Sequence, residues 1–250
     1  MLPRINIQEG AYFISDAHYN SNRECFLYLL EELDCAEETA PQIFLMGDMF
    51  DLLVGEVKQT HIFNEKVIKH LKSLSKKSEV YYFEGNHDFN LSLIFQDMQI
   101  FKMANQPVEA KFEDKTLLLS HGDYKVGGSY QTYSNVIRNS RLLKILNVID
   151  RVVGGFITTF IIKKHREKLI CKKFEKFREY LERKLHFLAD IHIEGHYHQD
   201  REFEFGKIRY INLPAFACNQ SYVVVNSHDR NNLFSKVSFK DHRCKPMMKH

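Results

Sequence analysis

The sequence predicts an α/β fold of two stacked sheets flanked by helices, one domain over residues 1–250 with a helical lid inserted at about 127–188. Three observations carry this. Up to Phe83, β-branched and aromatic runs alternate with stretches of helical periodicity, the mark of βαβ units in a largely parallel sheet. Beyond Asn86 the apolar runs are shorter and more closely spaced, as in a second, more antiparallel sheet packed on the first. From Gly127 to about Leu188 helical periodicity interrupts that pattern. A chain of 250 residues, 44% hydrophobic, can bury a full core.

Ala11 to Ser15 read as the first strand and Asp16 to Asn22 as a loop. Ser21-Asn22-Arg23-Glu24 has the form of a capping box, and Phe26, Leu29, Leu30 and Leu33 then follow helical spacing. Pro41 precedes a second strand, Ile43 to Met46. A second helix is expected from His61 to Leu74, with Ile62, Val67, Ile68 and Leu71 inward, and Val80 to Phe83 is the third strand. Val108 to Phe112, Thr116 to Leu119, Glu202 to Phe205, Ile208 to Leu213 and Tyr222 to Val225 supply the second sheet, with a turn at Gly206-Lys207. The polar end, Asp241 to His250, is expected to be loosely ordered.

Within the lid, Leu142, Leu143, Ile145, Leu146, Ile149, Val152 and Val153 mark an apolar helix, Gly154-Gly155 a break, and Phe156, Ile157, Phe160, Ile161 and Ile162 a second apolar patch. Lys144, Asp150, Arg151 and the glycine pair argue against a membrane span. A basic helix carrying Leu169, Phe174, Phe177, Tyr180 and Leu181 follows. Between Lys163 and Lys184 there are ten Lys or Arg against four Glu, so the formal net charge of +3 is concentrated there. Two readings stand: a helical cap with its own small core and a solvated charged face, or an interfacial lid that meets lipid. The net charge is too small to indicate nucleic acid as a partner.

The five cysteines, Cys25, Cys35, Cys171, Cys218 and Cys244, are scattered and odd in number, which predicts reduced thiols and a cytoplasmic setting. The N-terminus lacks the basic start and apolar core of a signal peptide.

Five short motifs follow five predicted strands: Asp16-Ala17-His18, Gly47-Asp48, Gly85-Asn86-His87-Asp88, Ser120-His121-Gly122-Asp123 and Gly195-His196-Tyr197-His198. A strand that ends on a glycine and a carboxylate presents that carboxylate in the crevice at the sheet edge. Asp16, His18, Asp48, Asn86, His121, His196 and His198 form a mixed oxygen and imidazole set suited to manganese, iron or zinc. Seven donors serve two divalent ions if one is shared, and Asp48 is the expected bridge. Two ions about 4 Å apart would activate a water and clamp a phosphoryl group. Asp48, Asn86 and His87 are expected to carry the chemistry, with His87 assisting the leaving group. Asp51, Asp88 and Asp123 are expected behind the ligands, orienting imidazoles. His61, His70, His165, His186 and His192 read as packed or solvated residues.

The ordered motifs Asp16-x-His18, Gly47-Asp48-x-x-Asp51, Gly85-Asn86-His87-Asp88, His121-Gly122-Asp123 and Gly195-His196-x-His198 resemble those of the calcineurin-like metallophosphoesterases, over nearly the whole chain outside the lid. The resemblance implies a two-sheet sandwich and a dinuclear site. Asp16, His18, Asp48 and His198 would hold one ion, and Asp48, Asn86, His121 and His196 the other. Within the family, the length, the spacing from His121 to His196 and the opening Gly128-Ser129-Tyr130-Gln131 resemble the UDP-2,3-diacylglucosamine hydrolases. That group carries arginine where this chain has His87, the residue commoner in the wider family. The resemblance implies a nucleotide-linked glycolipid substrate, manganese, and peripheral attachment to the inner membrane through the lid. Tyr130, Arg138, Arg151, Lys163, Lys164 and Arg166 then become candidates for substrate or membrane contact. Other phosphoesters, a nucleic acid strand, or a metal-free binding role on the same fold are the alternatives. The oligomeric state is left open.

Overall fold

A computed structural model describes residues 5–124, 128–185, 189–227 and 233–244. The first strands are β1 (Ile5–Asn6) and β2 (Tyr12–Ile14), followed by α1 (Cys25–Cys35), whose Phe26, Leu27, Leu29, Leu30 and Leu33 are buried. No capping box opens α1. Its N-cap is Glu24, with no side-chain cap, because Asn20 caps the preceding turn through Asn22 N–H and the Glu24 carboxylate accepts from the Tyr28 hydroxyl. Next come β3 (Gln42–Leu45) and β4 (Leu53–Val54). The single helix expected from His61 to Leu74 is instead α2 (Lys58–Phe63) and α3 (Glu65–Leu74). Asn64 divides them, its side-chain amide donating to the carbonyls of Leu52 and Thr60. The break leaves Ile62 exposed rather than inward.

The chain continues through β5 (Glu79–Phe83), β6 (Asp88–Phe89), β7 (Gln99–Phe101), β8 (Val108–Phe112) and β9 (Lys115–Ser120). The lid supplies α4 (Gly128–Ile137), α5 (Ser140–Val152), α6 (Phe156–Arg166) and α7 (Phe177–Lys184). Leu169 and Phe174 precede α7 rather than belonging to it, so the basic helix is shorter than predicted. Then follow β10 (Ile191–Glu194), β11 (Arg201–Phe205), β12 (Ile208–Asn212), α8 (Phe216–Asn219), β13 (Ser221–Val225) and β14 (Phe234–Ser238). Gly127, His186, Leu188 and the last residues, 245–250, lie outside the described residues.

Six strands form each main sheet, in the orders β14-β13-β2-β3-β5-β7 and β1-β8-β9-β10-β12-β11. In the first, β2, β3, β5 and β7 are parallel. The second is mixed rather than mainly antiparallel, because β10 runs parallel to both β9 and β12. Parallel neighbours need a crossover connection, and the lid is the crossover between β9 and β10. Tyr222 to Val225 leave the expected second sheet and pair with β2 in the first. Between the sheets lie Phe13, Phe44, Met46, Phe83, Leu117, Leu119 and Ile193. The outer face of the first sheet packs on α1 and α3, and that of the second on α7 through Phe177, Leu181 and Tyr210.

The lid has little core of its own among the described residues. Leu143 instead packs on Val54, Val57 and Phe89 of the body. Val152 and Phe156 are 81% and 70% exposed, and Ile145, Val148 and Phe160 are also open to solvent. Among the described residues no single helix is long and apolar enough to cross a membrane, and α5 and α6 are bent by 101° at the glycine pair. The cysteines also depart from expectation. Cys25 pairs with Cys244 and Cys171 with Cys218, at Cα separations of 5.2 and 5.7 Å, leaving Cys35 free. Sequence separations of 219 and 47 hid these neighbours.

Candidate metal centre

Every predicted donor loop opens at the C-terminal end of its strand: β2 leads to Asp16, β3 to Asp48, β5 to Asn86, β9 to His121 and β10 to His196. The first three belong to one sheet and the last two to the other. Sandwich packing brings the two edges together, and the Asp16 carboxylate closes the seam by accepting the His196 backbone N–H at 3.1 and 3.0 Å. Asp16, His18, Asp48, His196 and His198 all have φ between 43° and 65°. That left-handed backbone costs a side-chain-bearing residue about 1–2 kcal/mol, so five such residues in one cleft mark a site where geometry is kept at the expense of stability.

The donor atoms form three overlapping groups able to hold a metal ion: Asp16, His18 and His198; His18, Asp48 and His87; and Asp48, His121 and His196. Their donor atoms lie close together. His18 Nε2 lies 3.3 Å from His198 Nε2, His196 Nδ1 lies 3.2 Å from His121 Nε2, and Asp48 Oδ2 lies 3.5 Å from His121 Nε2. The amide oxygen of Asn86 is buried with no hydrogen-bond partner. Divalent cations fit this arrangement, since a cation reconciles crowded lone pairs and takes up the orphaned oxygen. Asp48 belongs to two of the groups and is the donor they share.

The far sides of two imidazoles are held by backbone carbonyls. His121 Nδ1 is 2.8 Å from the Met46 carbonyl, and His198 Nδ1 is 2.6 Å from the Ile170 carbonyl. His18 Nδ1 is 3.5 Å from Asp51 Oδ1, with Asp51 itself gripped by Arg23 and Asn20. The two carbonyl bonds fix the orientation of the His121 and His198 rings. Asp51 thus lies behind the His18 ring at ion-pair distance, and Asp123 is buried where its charge acts on His121 and His196. Asp88 does not orient an imidazole; it accepts backbone N–H groups of Asp48, Met49 and Gly85. Burial favours a neutral Asp48 carboxyl, yet His121, His87 and His18 hold it well below the usual carboxylate range. Burial first and His121 second push His196 down to about 4, which keeps its lone pair free at neutral pH.

The lid reaches four of the five donor-bearing loops. Arg138 donates to the Gly85 carbonyl at 2.7 Å, and its guanidinium lies over the Phe89 ring. His165 meets the Asp51 carbonyl, Ile170 holds His198, and Lys184 donates to the Gly122 carbonyl at 2.8 Å while paired with buried Glu194. Lys184 was missed in the sequence, although it stands at an inward position in register with Phe177 and Leu181. Arg166 lines a cavity of about 210 Å³ with Ile162, Asp51 and Leu52. Arg151, Lys163 and Lys164 are exposed, and among the described residues no contact joins them to the donors. Tyr130 falls in α4, but its side chain lies outside the described residues.

The profile of the Calcineurin-like phosphoesterase family matches residues 11–200. The chain belongs to that family. The span covers all the donors and the lid. Among curated proteins, the chain is 32% identical over 115 residues to a UDP-2,3-diacylglucosamine hydrolase of Coxiella burnetii, a match over 44% of this chain and 46% of that protein. The chain therefore spans about half the length of the first curated relatives it matches. With the hydrolase of the same name from Blochmanniella floridana it shares 26% over 204 residues, 75% of this chain and 79% of that one. Among solved structures it matches an archaeal phosphodiesterase with a TM-score of 0.46 and 13% identity, over 92% of this chain and 99% of that one. Family membership implies divalent metal ions, and the crowded donors are where they fit.

Proposed function

We propose that the chain is a dinuclear metal-dependent pyrophosphohydrolase that converts UDP-2,3-diacylglucosamine to UMP and 2,3-diacylglucosamine 1-phosphate, a step of lipid A biosynthesis. The supporting observation is a largely buried donor set of three overlapping groups, two of them sharing Asp48, beneath a lid whose apolar helices are open to solvent. Names of the curated relatives support the same substrate.

Asp16, His18, Asp48 and His198 would hold one ion, and Asp48, Asn86, His121 and His196 the other. Bound manganese, or iron or zinc, would supply Lewis acidity, activating a water and neutralising phosphoryl charge. Asp48 keeps its carboxylate ionised between the two donor groups. His87, set by its Nδ1 contact with the Asp51 carbonyl, directs its other nitrogen toward the leaving oxygen and assists its departure. The exposed apolar faces of α5 and α6 take the acyl chains or the bilayer surface, and lid arginines and lysines meet phosphate. Attachment at the cytoplasmic face of the inner membrane belongs to this proposal. It rests on the nucleotide-linked substrate, since paired cysteines remove the thiol argument.

The test is hydrolysis of UDP-2,3-diacylglucosamine in mixed micelles, with manganese and with chelator. Metal-dependent UMP release is the expected result. An intact lipid beside a cleaved generic phosphodiester would overturn the substrate and keep the metal chemistry.

A further inference from the structure

Two imidazoles meet at one carbonyl oxygen. His87 Nδ1 and His165 Nδ1 each lie 2.8 Å from the Asp51 oxygen, and the ring centroids are 4.8 Å apart at 62°. His87 stands beside His18, edge to face at 4.9 Å. His165 comes from the last turn of α6, in the lid. A carbonyl oxygen has two lone pairs and can accept both N–H groups. Sharing it fixes each ring with Nδ1 toward Asp51 and Nε2 away from it. Among the described residues neither Nε2 makes a hydrogen bond.

The other lid contacts near the site do different work. Arg138 and Lys184 touch backbone carbonyls of Gly85 and Gly122, and Ile170 holds His198. His165 alone among these four lies against the His87 ring.

We propose that His165 is a positioning residue for His87: by sharing the Asp51 carbonyl and covering the ring, it makes seating of the lid and alignment of His87 a single event. The inference rests on the role given to His87 above. An open lid then leaves His87 with one ring face uncovered and free to rotate, whereas a seated lid holds its Nε2 over the cleft. Turnover thereby waits until a substrate has drawn α6 down.

The test compares His165→Ala with His165→Asn in the full chain, with folding checked by circular dichroism. Asn supplies an N–H near the place of Nδ1. His165→Ala should lower kcat about tenfold or more, with KM and the number of bound metal ions unchanged, and His165→Asn should recover most of the loss. Imidazole ¹⁵N spectra of the zinc-loaded protein should show His87 as a fixed Nδ1–H tautomer in wild type and in His165→Asn, and as an exchanging mixture in His165→Ala. Unchanged His87 signals in His165→Ala, or equal kcat losses in both variants, would overturn the coupling. The spectra need no substrate, so a chain that hydrolyses nothing would sink the proposed function and leave this inference to be decided by the His87 signals.

Discussion

The Asp88 carboxylate carries the backbone of Asp48: Oδ1 accepts the Asp48 N–H at 3.1 Å and Oδ2 the Met49 N–H at 2.6 Å. Oδ1 also takes the Gly85 N–H at 3.0 Å, and the Tyr82 hydroxyl donates to Oδ2 at 2.7 Å. One buried carboxylate thereby ties the loop after β3 to the loop after β5, which together carry Asp48, Asn86 and His87. Asp88→Asn keeps the shape but loses charge and one acceptor. Metal affinity should fall about 10- to 100-fold in a folded protein, measured by titration against a competing chelator.

Gly47 and Gly85 are two of the places where a Cβ would meet the site itself. Gly47 has φ +87°, and a Cβ there would run into the His121 ring; at Gly85 it would strike the Asp48 carboxylate. Gly47→Ala and Gly85→Ala should each cost about 1–3 kcal/mol in denaturant unfolding and bind fewer metal ions than wild type. Wild-type metal stoichiometry in both would show that the donors sit elsewhere.

Asp48 and His87 should fail in different ways. Asp48→Ala removes the shared donor, so metal content and hydrolysis are both lost. His87→Asn should keep both ions while kcat falls about 10²- to 10⁴-fold. Elemental analysis beside steady-state kinetics separates the two, and an ion missing from His87→Asn would place His87 among the ligands.

Burial first, and then the charge of Glu194, hold the Tyr210 phenol well above its ordinary value of 10. The protonated phenol therefore favours the folded state. Its contribution is complete below pH 10 and is lost as the pH climbs above that value. Urea midpoints at about pH 9 and about pH 11 should fall further for wild type than for Tyr210→Phe, which lacks the titrating group.

The lid's apolar face gives a test of membrane contact. Val152→Glu with Phe156→Glu, both highly exposed, should weaken binding to anionic vesicles about tenfold or more, with unchanged hydrolysis of a small soluble phosphodiester. Equal vesicle binding would remove these helices from the membrane surface.

Local order in the chain determined most of the strands, the apolar helices and the candidate donors. An apolar run ended by glycine and followed by Asp, Asn or His reports a strand end with its donor, since those residues are adjacent in the chain. Three predictions failed where distant residues compete with local preference. Asn64 split a helix by bonding to Leu52, Tyr222 to Val225 joined β2 instead of the second sheet, and Asp88 took up backbone N–H groups instead of a ring. The disulfides and the lid contacts belong to the same class. Cys171 meets Cys218, and His165 meets Asp51 from 114 residues away. Residue type and spacing thus singled out the side chains whose donor atoms crowd together in the cleft, because donor character is a property of each side chain. Which imidazole is held by which carbonyl, and that the lid touches four of the five donor loops, was decided only when the two sheets stacked and the crossover between β9 and β10 had to pass over their shared edge.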